Sequence, residues 1–184
     1  MTEDMLIRHC APTLAGLKTA NMVNVPYTSE AELTAQLNIL NDKLNPKGVR
    51  LELLTCKGKT ALVYVCRPDK LDADLCSACD LLDREGYPGC ERESCLSCLK
   101  ARLSEKGDFP HEIGLFLGYP PEDVDGFIQN RGQSCKCVGA WKVYGDAEEA
   151  EKTFARFRKC TDIYQKRHEE GFPVSKLTIQ GKAC

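Results

Sequence analysis

Leucine residues recur every three or four positions between residues 29 and 44, a spacing that predicts an amphipathic helix. Ser29 and Glu32 form a capping box at its start, in which the serine hydroxyl accepts a hydrogen bond from the glutamate N–H. The sequence Asn-Pro-Lys-Gly at residues 45–48 then ends the helix, because proline and glycine interrupt helical hydrogen bonding. The first clear element of the chain is therefore a helix with defined ends.

Two strands are predicted after this helix. Residues 49–53 alternate between apolar and charged side chains, which is the pattern of a strand with one buried face. Residues 61–66 are apolar without interruption, as is typical of a central strand. The Lys-Gly-Lys sequence at residues 57–59 supplies a turn between them, so the two segments predict a β-hairpin.

The remaining chain is predicted to be mostly helical, with two further strands. Residues 113–117 are left open, because five residues of periodicity do not distinguish a short helix from a buried strand. Three helices are predicted before residue 118: from Asp72 to about Gly86, over residues 96–103 with a stop at Gly107, and from Pro110 to Leu117. Two more are predicted later, one that starts at Pro121 and one that follows a capping box of Asp146 and Glu149. The two predicted strands are residues 137–144 and 174–179.

This order of elements predicts an α+β (mixed α/β) fold, in which several helices pack on a small sheet that includes the β-hairpin. The length of 184 residues suits a single domain over residues 1–184, with residues 180–184 as a flexible C-terminal tail. Hydrophobic residues make up 42% of the chain and charged residues 28%, which indicates a soluble globular protein rather than a disordered one.

The distribution of charge argues against two classes of partner. The longest stretch without a charged side chain has 11 residues, whereas a membrane span needs about 20, so we expect no membrane partner. The net charge of −2 offers no general attraction for phosphate. Residues 113–124 have the rhythm of a helix-turn-helix, but Glu122, Asp123 and Asp125 stand where a DNA reader needs basic or amide side chains. We interpret that segment as a packing corner and expect no nucleic-acid partner.

Cysteine is the unusual component, with 12 residues in the chain. The first residues include acids where a signal peptide carries positive charge, and no apolar core follows them, so we expect a cytoplasmic protein. Thiols stay reduced in the cytoplasm. The cysteines therefore indicate metal binding, redox chemistry or core packing rather than a disulfide framework.

Two Cys-x-x-Cys pairs give the clearest metal signal. Cys76 and Cys79 precede Cys95 and Cys98 by a spacing at which four thiolates can hold a tetrahedral zinc ion or an iron–sulfur cluster. Cys90, between the pairs, is a substitute ligand. Both pairs lie within predicted helices, however, and buried cysteine is also a good small apolar side chain. Zinc or iron is thus one interpretation of these cysteines, and core or surface thiols are the other.

The other cysteines carry weaker signals. Cys135 and Cys137 form a Cys-x-Cys pair that can chelate a soft metal or close a strained disulfide. The simpler interpretation is that the two cysteines flank the start of a strand by chance. Cys160 follows the apolar face of the last long helix and is predicted to fill the core. Cys184 is the last residue and is interpreted as a free thiol.

Two of the three histidines stand beside other reactive groups. His9 precedes Cys10, just before Pro12, which is expected to interrupt a helix. A thiol near a protonated imidazole has a lowered pKa and becomes a better nucleophile. His111 and Glu112 lie at a predicted helix start. These residues predict a site in which Cys10 is the nucleophile or ligand and His111 and Glu112 tune it, unless Glu112 is only a first-turn helix acid.

Three segments carry a resemblance to a known family: HCAPTLAGLK at residues 9–18, FPHEIGLFLGYP at residues 109–120 and GAWKVYGD at residues 139–146. In this order they resemble the clostridial-type bacterial family called domain of unknown function 3793, over about residues 5–164. The resemblance implies a single cytosolic bacterial domain without an assigned activity, and the two Cys-x-x-Cys pairs are not part of its pattern. The matching polar and aromatic positions are candidates for cofactor binding, namely His9, Lys18, Trp141, Lys142 and Tyr144.

These observations leave three functional hypotheses. The first is a thiol-dependent redox or transfer protein, in which Lys18 or Lys142 holds an anionic substrate or a cofactor phosphate. The second is a non-catalytic protein that binds zinc or iron through the paired cysteines. The third is a protein-interaction module without chemistry. The expected partner is accordingly a small molecule or another protein.

Overall fold

The computed structural model describes residues 1–105 and 109–181 and has an α+β fold, as predicted. The chain divides into two compact units. The first unit comprises Met1–Asp69 and Phe157–Cys184, and the second unit comprises Lys70–Arg156. Of the predicted flexible tail, residues 182–184 lie outside the described residues.

The first unit contains a three-stranded antiparallel sheet with the order β1-β3-β2, formed by β1 (Ala20–Pro26), β2 (Arg50–Lys57) and β3 (Thr60–Cys66). The predicted hairpin is confirmed, since Leu51 and Leu53 of β2 pair with Val65 and Val63 of β3. The central position of β3 is also confirmed. A bulge at Leu54 shifts the register of β2 by one residue. Buried and exposed side chains therefore do not alternate strictly along this strand, and Leu51 and Leu54 are the buried residues.

Helices pack against this sheet. The predicted Ser29 cap is confirmed, because the N–H of Glu32 donates to the Ser29 hydroxyl at 3.4 Å. The prediction that Pro12 interrupts a helix is wrong: α1 continues through Pro12 to its end, and the Pro12 carbonyl accepts from the N–H groups of Leu17 and Lys18. The helices of this unit are α1 (Glu3–Leu14), α2 (Glu30–Leu44), the short 3-10 helix Asn45–Lys47, the second part of α8 (Ala147–Glu169) and α9 (Val174–Leu177).

The strand predicted over residues 174–179 is wrong, because this segment begins with the short helix α9. Pro173 precedes it with the fixed φ of proline, and the N–H of Val174 donates to the Glu3 carboxylate at 2.9 Å. The Thr178 hydroxyl in turn donates to the Val174 carbonyl. The Glu3 side chain from α1 and the Thr178 hydroxyl therefore bind backbone groups that a strand would need.

The second unit is mostly helical. The helix predicted from Asp72 to Gly86 is two helices, since α3 starts earlier and the backbone breaks at Ala78 before α4 begins. Residues 113–116 form a helix, so the helix and not the buried strand is the correct interpretation of this segment. Gly107, the predicted stop of α5, lies outside the described residues. The helices are α3 (Pro68–Ser77, starting two residues before the unit), α4 (Cys79–Arg84), α5 (Arg92–Ser104), α6 (Ile113–Phe116), α7 (Pro121–Gln129) and the first part of α8.

The continuous strand predicted over residues 137–144 is also wrong. Two strands of two residues, β4 (Cys137–Val138) and β5 (Lys142–Val143), form a small hairpin, and Trp141 lies in its turn. The capping box after this hairpin is confirmed, as the N–H of Glu149 donates to the Asp146 carboxylate at 3.1 Å. Over the two described ranges, the helices lack the combination of length and apolar character that crossing a membrane requires.

Candidate functional site

The second unit contains a concave pocket of about 280 Å³. Its walls come from the segment before α6, from α6 and α7, and from the β4–β5 hairpin. Aromatic and apolar side chains form most of the lining, and its titratable groups are His111, Tyr119, Asp123 and Lys142. The lining residues are Phe109, Pro110, His111, Gly114, Tyr119, Asp123, Val124, Phe127, Val138, Gly139, Trp141 and Lys142.

Two glycines let the walls approach each other. A β-carbon on Gly114 would lie 2.7 Å from Cγ2 of Val124, so only glycine permits the observed packing of α6 on α7. A β-carbon on Gly139 would overlap the ring of Phe154, which packs under the β4–β5 hairpin. Close backbone approach at both positions holds the walls of the pocket in place.

Asp123 fastens the hairpin to α7. Its buried carboxylate accepts hydrogen bonds at 2.7 Å from the indole Nε1 of Trp141 and from the backbone N–H groups of Tyr144 and Gly145. Three donors compensate the burial of this charge. The Trp141 ring is thereby fixed in orientation rather than free to rotate.

Aromatic contacts fix the same wall. The rings of Trp141 and Tyr119 stack with centroids 4.9 Å apart, and Phe154 meets Trp141 edge-on at 4.6 Å. The Tyr119 hydroxyl donates to the Ala140 carbonyl at 3.1 Å, and burial raises the pKa of Tyr119 to about 12. Tyr119 therefore stays neutral and holds the hairpin turn from the opposite side.

Two polar groups of the pocket, Lys142 and His111, lie near Phe127. The Lys142 ammonium is 5.6 Å from the centroid of this ring, and the His111 ring meets it edge-on at 5.2 Å. Lys142 Nζ also donates to the Gly132 carbonyl at 2.7 Å. Because an ammonium has three N–H donors, this contact leaves Lys142 able to donate to a ligand. The pocket thus combines aromatic walls with a cationic side chain.

Glu112 and Tyr144, both candidates from the sequence, do not line the pocket. The buried Glu112 carboxylate accepts from the Tyr87 hydroxyl at 2.9 Å and pairs with Nη1 of Arg102 at 2.7 Å. The Arg102 guanidinium also covers the Tyr87 ring, 4.3 Å from its centroid. Tyr144 packs its ring against Gly126, and its hydroxyl is buried. Glu112 therefore serves the packing of α5 and α6, and Tyr144 serves that of α7.

The other catalytic and cofactor-binding candidates, His9, Cys10 and Lys18, lie in the first unit. His9 is exposed on α1, whereas Cys10 is fully buried, so these adjacent side chains occupy different environments. Burial raises the pKa of the Cys10 thiol to about 12, a rise that the nearby Lys18 charge opposes. Burial also lowers the pKa of Lys18 to about 8. A site shared by Cys10 with His111 and Glu112 stays a prediction.

We expect Cys10 to be among the slowest thiols of the native protein to react with iodoacetamide at pH 8. Only the thiolate attacks, and a pKa of about 12 leaves little thiolate at that pH, while burial excludes the reagent. Exposed Cys76 provides the internal comparison. Mass spectrometry of peptides after a short pulse measures both rates, and equal labelling of the two would contradict the expectation.

The cysteine pairs are placed unequally. Cys76 is exposed, Cys79, Cys90 and Cys98 are half-buried, and Cys95 is buried. A hydrogen bond with Cys90, followed by partial burial, raises the pKa of Cys79 to about 11. Among the residues that the structure describes, no three His, Cys, Asp or Glu side chains are arranged to hold a metal ion. Zinc or iron binding by Cys76, Cys79, Cys95 and Cys98 stays a prediction.

The isolated cysteines are placed as follows. Cys160 lies in the apolar core of the first unit, which confirms its predicted role. Cys135 and Cys137 are half-buried free thiols at the start of the β4–β5 hairpin. Cys184 lies outside the described residues.

The sequence identified His111, Trp141 and Lys142, which the structure brings together in one pocket, but it missed their neighbours. The sequence presents Asp123 only as an acid that stands where a DNA reader needs a basic or amide side chain, and Phe127 belongs to none of the motifs. The hydrogen-bond partners of Asp123 are 18 to 22 residues away in the chain, so no local sequence pattern predicts these contacts. Its burial in the first turn of α7, next to exposed Glu122, is the distinguishing feature, and only the structure reveals it.

Together these features define a cysteine-rich α+β protein with an aromatic pocket in its second unit. The chain belongs to the family described as protein of unknown function (DUF3793), whose model matches residues 6–178. This confirms the resemblance carried by the three sequence segments. No curated protein and no solved structure matches the chain.

Proposed function

We propose that the protein binds a small planar ligand with an anionic group in the pocket of the second unit. The observation that carries the proposal is that the fixed Trp141 ring and the Lys142 side chain line the same aromatic cavity. Concave sites with apolar walls and a few placed polar groups are the usual form of small-molecule sites. Because Asp123 and Tyr119 hold Trp141 before a ligand arrives, little ordering is needed on binding.

The size of the pocket limits the ligand. Small-molecule sites span roughly 300 to 1,000 Å³ and bury most of the surface of a drug-sized ligand. The observed volume of about 280 Å³ suits a single aromatic ring or a fused pair of rings. Stacking and edge-on contacts with the aromatic walls favour a planar group over a branched aliphatic one.

The charge of the pocket selects an anion. The Asp123 carboxylate already accepts three hydrogen bonds, so its negative charge is compensated within the protein. Lys142 brings a positive charge to the lining, and His111 adds a ring nitrogen. An aromatic carboxylate therefore finds both a ring surface and a charge-assisted donor.

Trp141 is the only tryptophan of the chain, so its fluorescence reports on this pocket alone. We expect benzoate to change the emission in a saturable manner, and neutral benzamide to bind at least about tenfold more weakly, equal to about 1.4 kcal/mol. Lys142→Met is expected to remove the preference for benzoate. Lys136→Met is the matched control, because Lys136 also donates to a backbone carbonyl, that of Gly145 at 2.6 Å, but does not line the pocket.

Two outcomes would contradict the proposal. The absence of a saturable response to benzoate and benzamide at millimolar concentration would remove the ligand-binding function. If benzoate and benzamide bound with equal affinity, and if Lys142→Met bound both as the wild type does, the ligand would not need an anionic group.

A thiol-dependent redox or transfer reaction at Cys10, with His111 and Glu112, is the second candidate. The proximity of Lys18, whose charge lowers the pKa of the Cys10 thiol, favours it. Burial acts in the opposite direction and more strongly. Loss of the fastest-reacting thiol in Cys10→Ser would support this candidate, whereas unchanged alkylation rates across the pH range would exclude it.

Metal binding by the paired cysteines is a further proposal, which the spacing of the two Cys-x-x-Cys pairs supports. Elemental analysis of protein purified without oxygen tests it, and metal-free protein that takes up neither zinc nor iron would exclude it. We place the protein in the bacterial cytoplasm, where the thiols that the structure describes as free remain reduced.

A further inference from the structure

We propose that the pocket of the second unit takes the C-terminal residue of a peptide, with an aromatic side chain inside the cavity and the terminal carboxylate at Lys142. The inference rests on the proposed function, because it names the class of molecule that carries the planar group and the anion. Its basis is the surface around the pocket, where apolar side chains and backbone groups remain available to a ligand longer than one ring.

Two of the apolar side chains that line the pocket are largely exposed. Val138 is 67% exposed and Phe109 is 55% exposed, and Val138 is the most exposed large apolar residue in the part of the chain that the structure describes. A ligand of one ring fills a cavity of about 280 Å³ and does not extend over both side chains. A ligand that continues past the cavity covers them, and the burial of this apolar surface adds to its affinity.

Val138 also offers its backbone groups at the same place. It pairs with Lys142 in the β4–β5 hairpin, and the next N–H, that of Gly139, donates to the Trp141 carbonyl at 3.0 Å. Hydrogen-bonded and non-hydrogen-bonded pairs alternate along an antiparallel ladder, so the N–H and C=O of Val138 point away from β5. Within the described residues, β4 pairs with β5 alone. An extended peptide can therefore lie along β4 and exchange two hydrogen bonds with Val138.

The charge of the pocket favours a chain end over an internal residue. Val138 and Lys142 are directly opposite each other, so their side chains lie on the same face of the hairpin. An internal aromatic residue brings no negative charge to the Lys142 ammonium. A C-terminal aromatic residue does, because its carboxylate and its ring-bearing side chain are attached to the same α-carbon.

Phosphotyrosine also joins a ring to an anion, but it fits the pocket less well. Its phosphate carries nearly two negative charges and is typically held by a cluster of arginine side chains. The described lining of the pocket contains one lysine and no arginine. One cation matches the single charge of a carboxylate, so the pocket suits the end of a peptide chain.

The affinities of four compounds for the full-length protein test this assignment, with Trp141 emission as the readout. They are acetyl-alanyl-valyl-phenylalanine, its C-terminal amide, its analogue methylated on the valine nitrogen, and N-acetylphenylalanine. We expect the free tripeptide to bind at least about tenfold more tightly than N-acetylphenylalanine, because it also covers the exposed side chains and pairs with Val138. The amide lacks the charge and the methylated analogue lacks the donor to the Val138 carbonyl, so both are expected to bind more weakly than the free tripeptide.

A pair of variants tests the exposed side chain. Val138→Ser is expected to lower the ratio of the tripeptide affinity to the N-acetylphenylalanine affinity by at least about threefold, since apolar contact is lost. Ile39→Ser is the matched control, because Ile39 is 58% exposed on α2 and does not line the pocket. This control should keep the ratio of the wild type.

Benzoate separates the failure of this inference from the failure of the proposed function. If benzoate binds but the tripeptide binds no more tightly than N-acetylphenylalanine, the peptide is overturned and the small-ligand function stands. If neither benzoate nor the tripeptide gives a saturable response, both are overturned. Equal affinity for the tripeptide and its amide, or tighter binding of N-acetylphosphotyrosine amide than of the tripeptide, would overturn the assignment to a chain end.

Discussion

Replacing Arg67 with methionine lowers the free energy of unfolding by about 3 kcal/mol, because buried hydrogen bonds from a charged donor are lost. Arg67 is only 4% exposed. Its guanidinium donates to the carbonyls of Thr13 and Leu14 at 2.7 Å and of Ile179 at 2.8 Å. It thus joins the end of α1 to the segment after α9 within the first unit.

The expected loss is smaller than that of the complete set of charged hydrogen bonds, which includes a longer one to the Lys47 carbonyl at 3.4 Å. The Thr13 carbonyl also accepts from the N–H of Gly16, and the Leu14 carbonyl from that of Ile179, so neither is left without a donor. Only part of the desolvation penalty of an unsatisfied carbonyl therefore applies. Arg67→Lys is expected to give an intermediate loss, since an ammonium keeps the charge but not the planar fork.

Urea denaturation measures the change, and Arg158→Met is the matched control. Arg158 is exposed on α8 in the same unit, and surface substitutions of this kind usually change stability by less than about 0.5 kcal/mol. Equal midpoints for Arg67→Met and Arg158→Met would show that the carbonyl contacts of Arg67 contribute nothing to stability.

The features predicted correctly from the sequence are those with local signals. The Ser29 and Asp146 caps involve donors three residues away, and the hairpin of β2 and β3 is joined by a two-residue turn. A pattern within a few residues contains all that such an element needs. The α+β class follows from these elements.

The features that were missed depend on distant partners. β1 forms only by pairing with β3, some forty residues later, as in the pair Val23 and Val63. Residues 174–179 carried an apolar pattern typical of a strand, but the Glu3 carboxylate, 171 residues away, caps the segment as a helix. Tertiary contacts of this kind outweigh local preference.

The candidate site shows the same division. The sequence identified His111, Trp141 and Lys142 as chemically notable but grouped His111 with Cys10 and Glu112. The structure places His111 in the aromatic pocket and surrounds Glu112 with Tyr87 and Arg102. Which polar side chains share a cavity is decided by packing, and residue type alone does not encode it.

Replacing Asp123 with alanine is expected to lower the free energy of unfolding by about 3 kcal/mol, since three buried donors lose a charged acceptor. The donors are the Trp141 indole and the N–H groups of Tyr144 and Gly145. Glu122→Ala is the matched control. Glu122 is exposed in the same first turn of α7, so both variants lose the same favourable interaction with the helix dipole.

Asp123→Asn separates the two roles of this carboxylate. Oδ1 accepts from both backbone N–H groups, and Oδ2 accepts from Trp141 alone. An asparagine that keeps its oxygen toward the backbone donors turns its NH₂ toward the indole N–H, and two donors then face each other. We expect a smaller loss of stability than in Asp123→Ala, together with a shift of the Trp141 emission and weaker benzoate binding. An emission spectrum unchanged from that of the wild type would mean that Asp123 does not position the ring, and the preformed wall of the pocket would then have to come from Tyr119 and Phe154 alone.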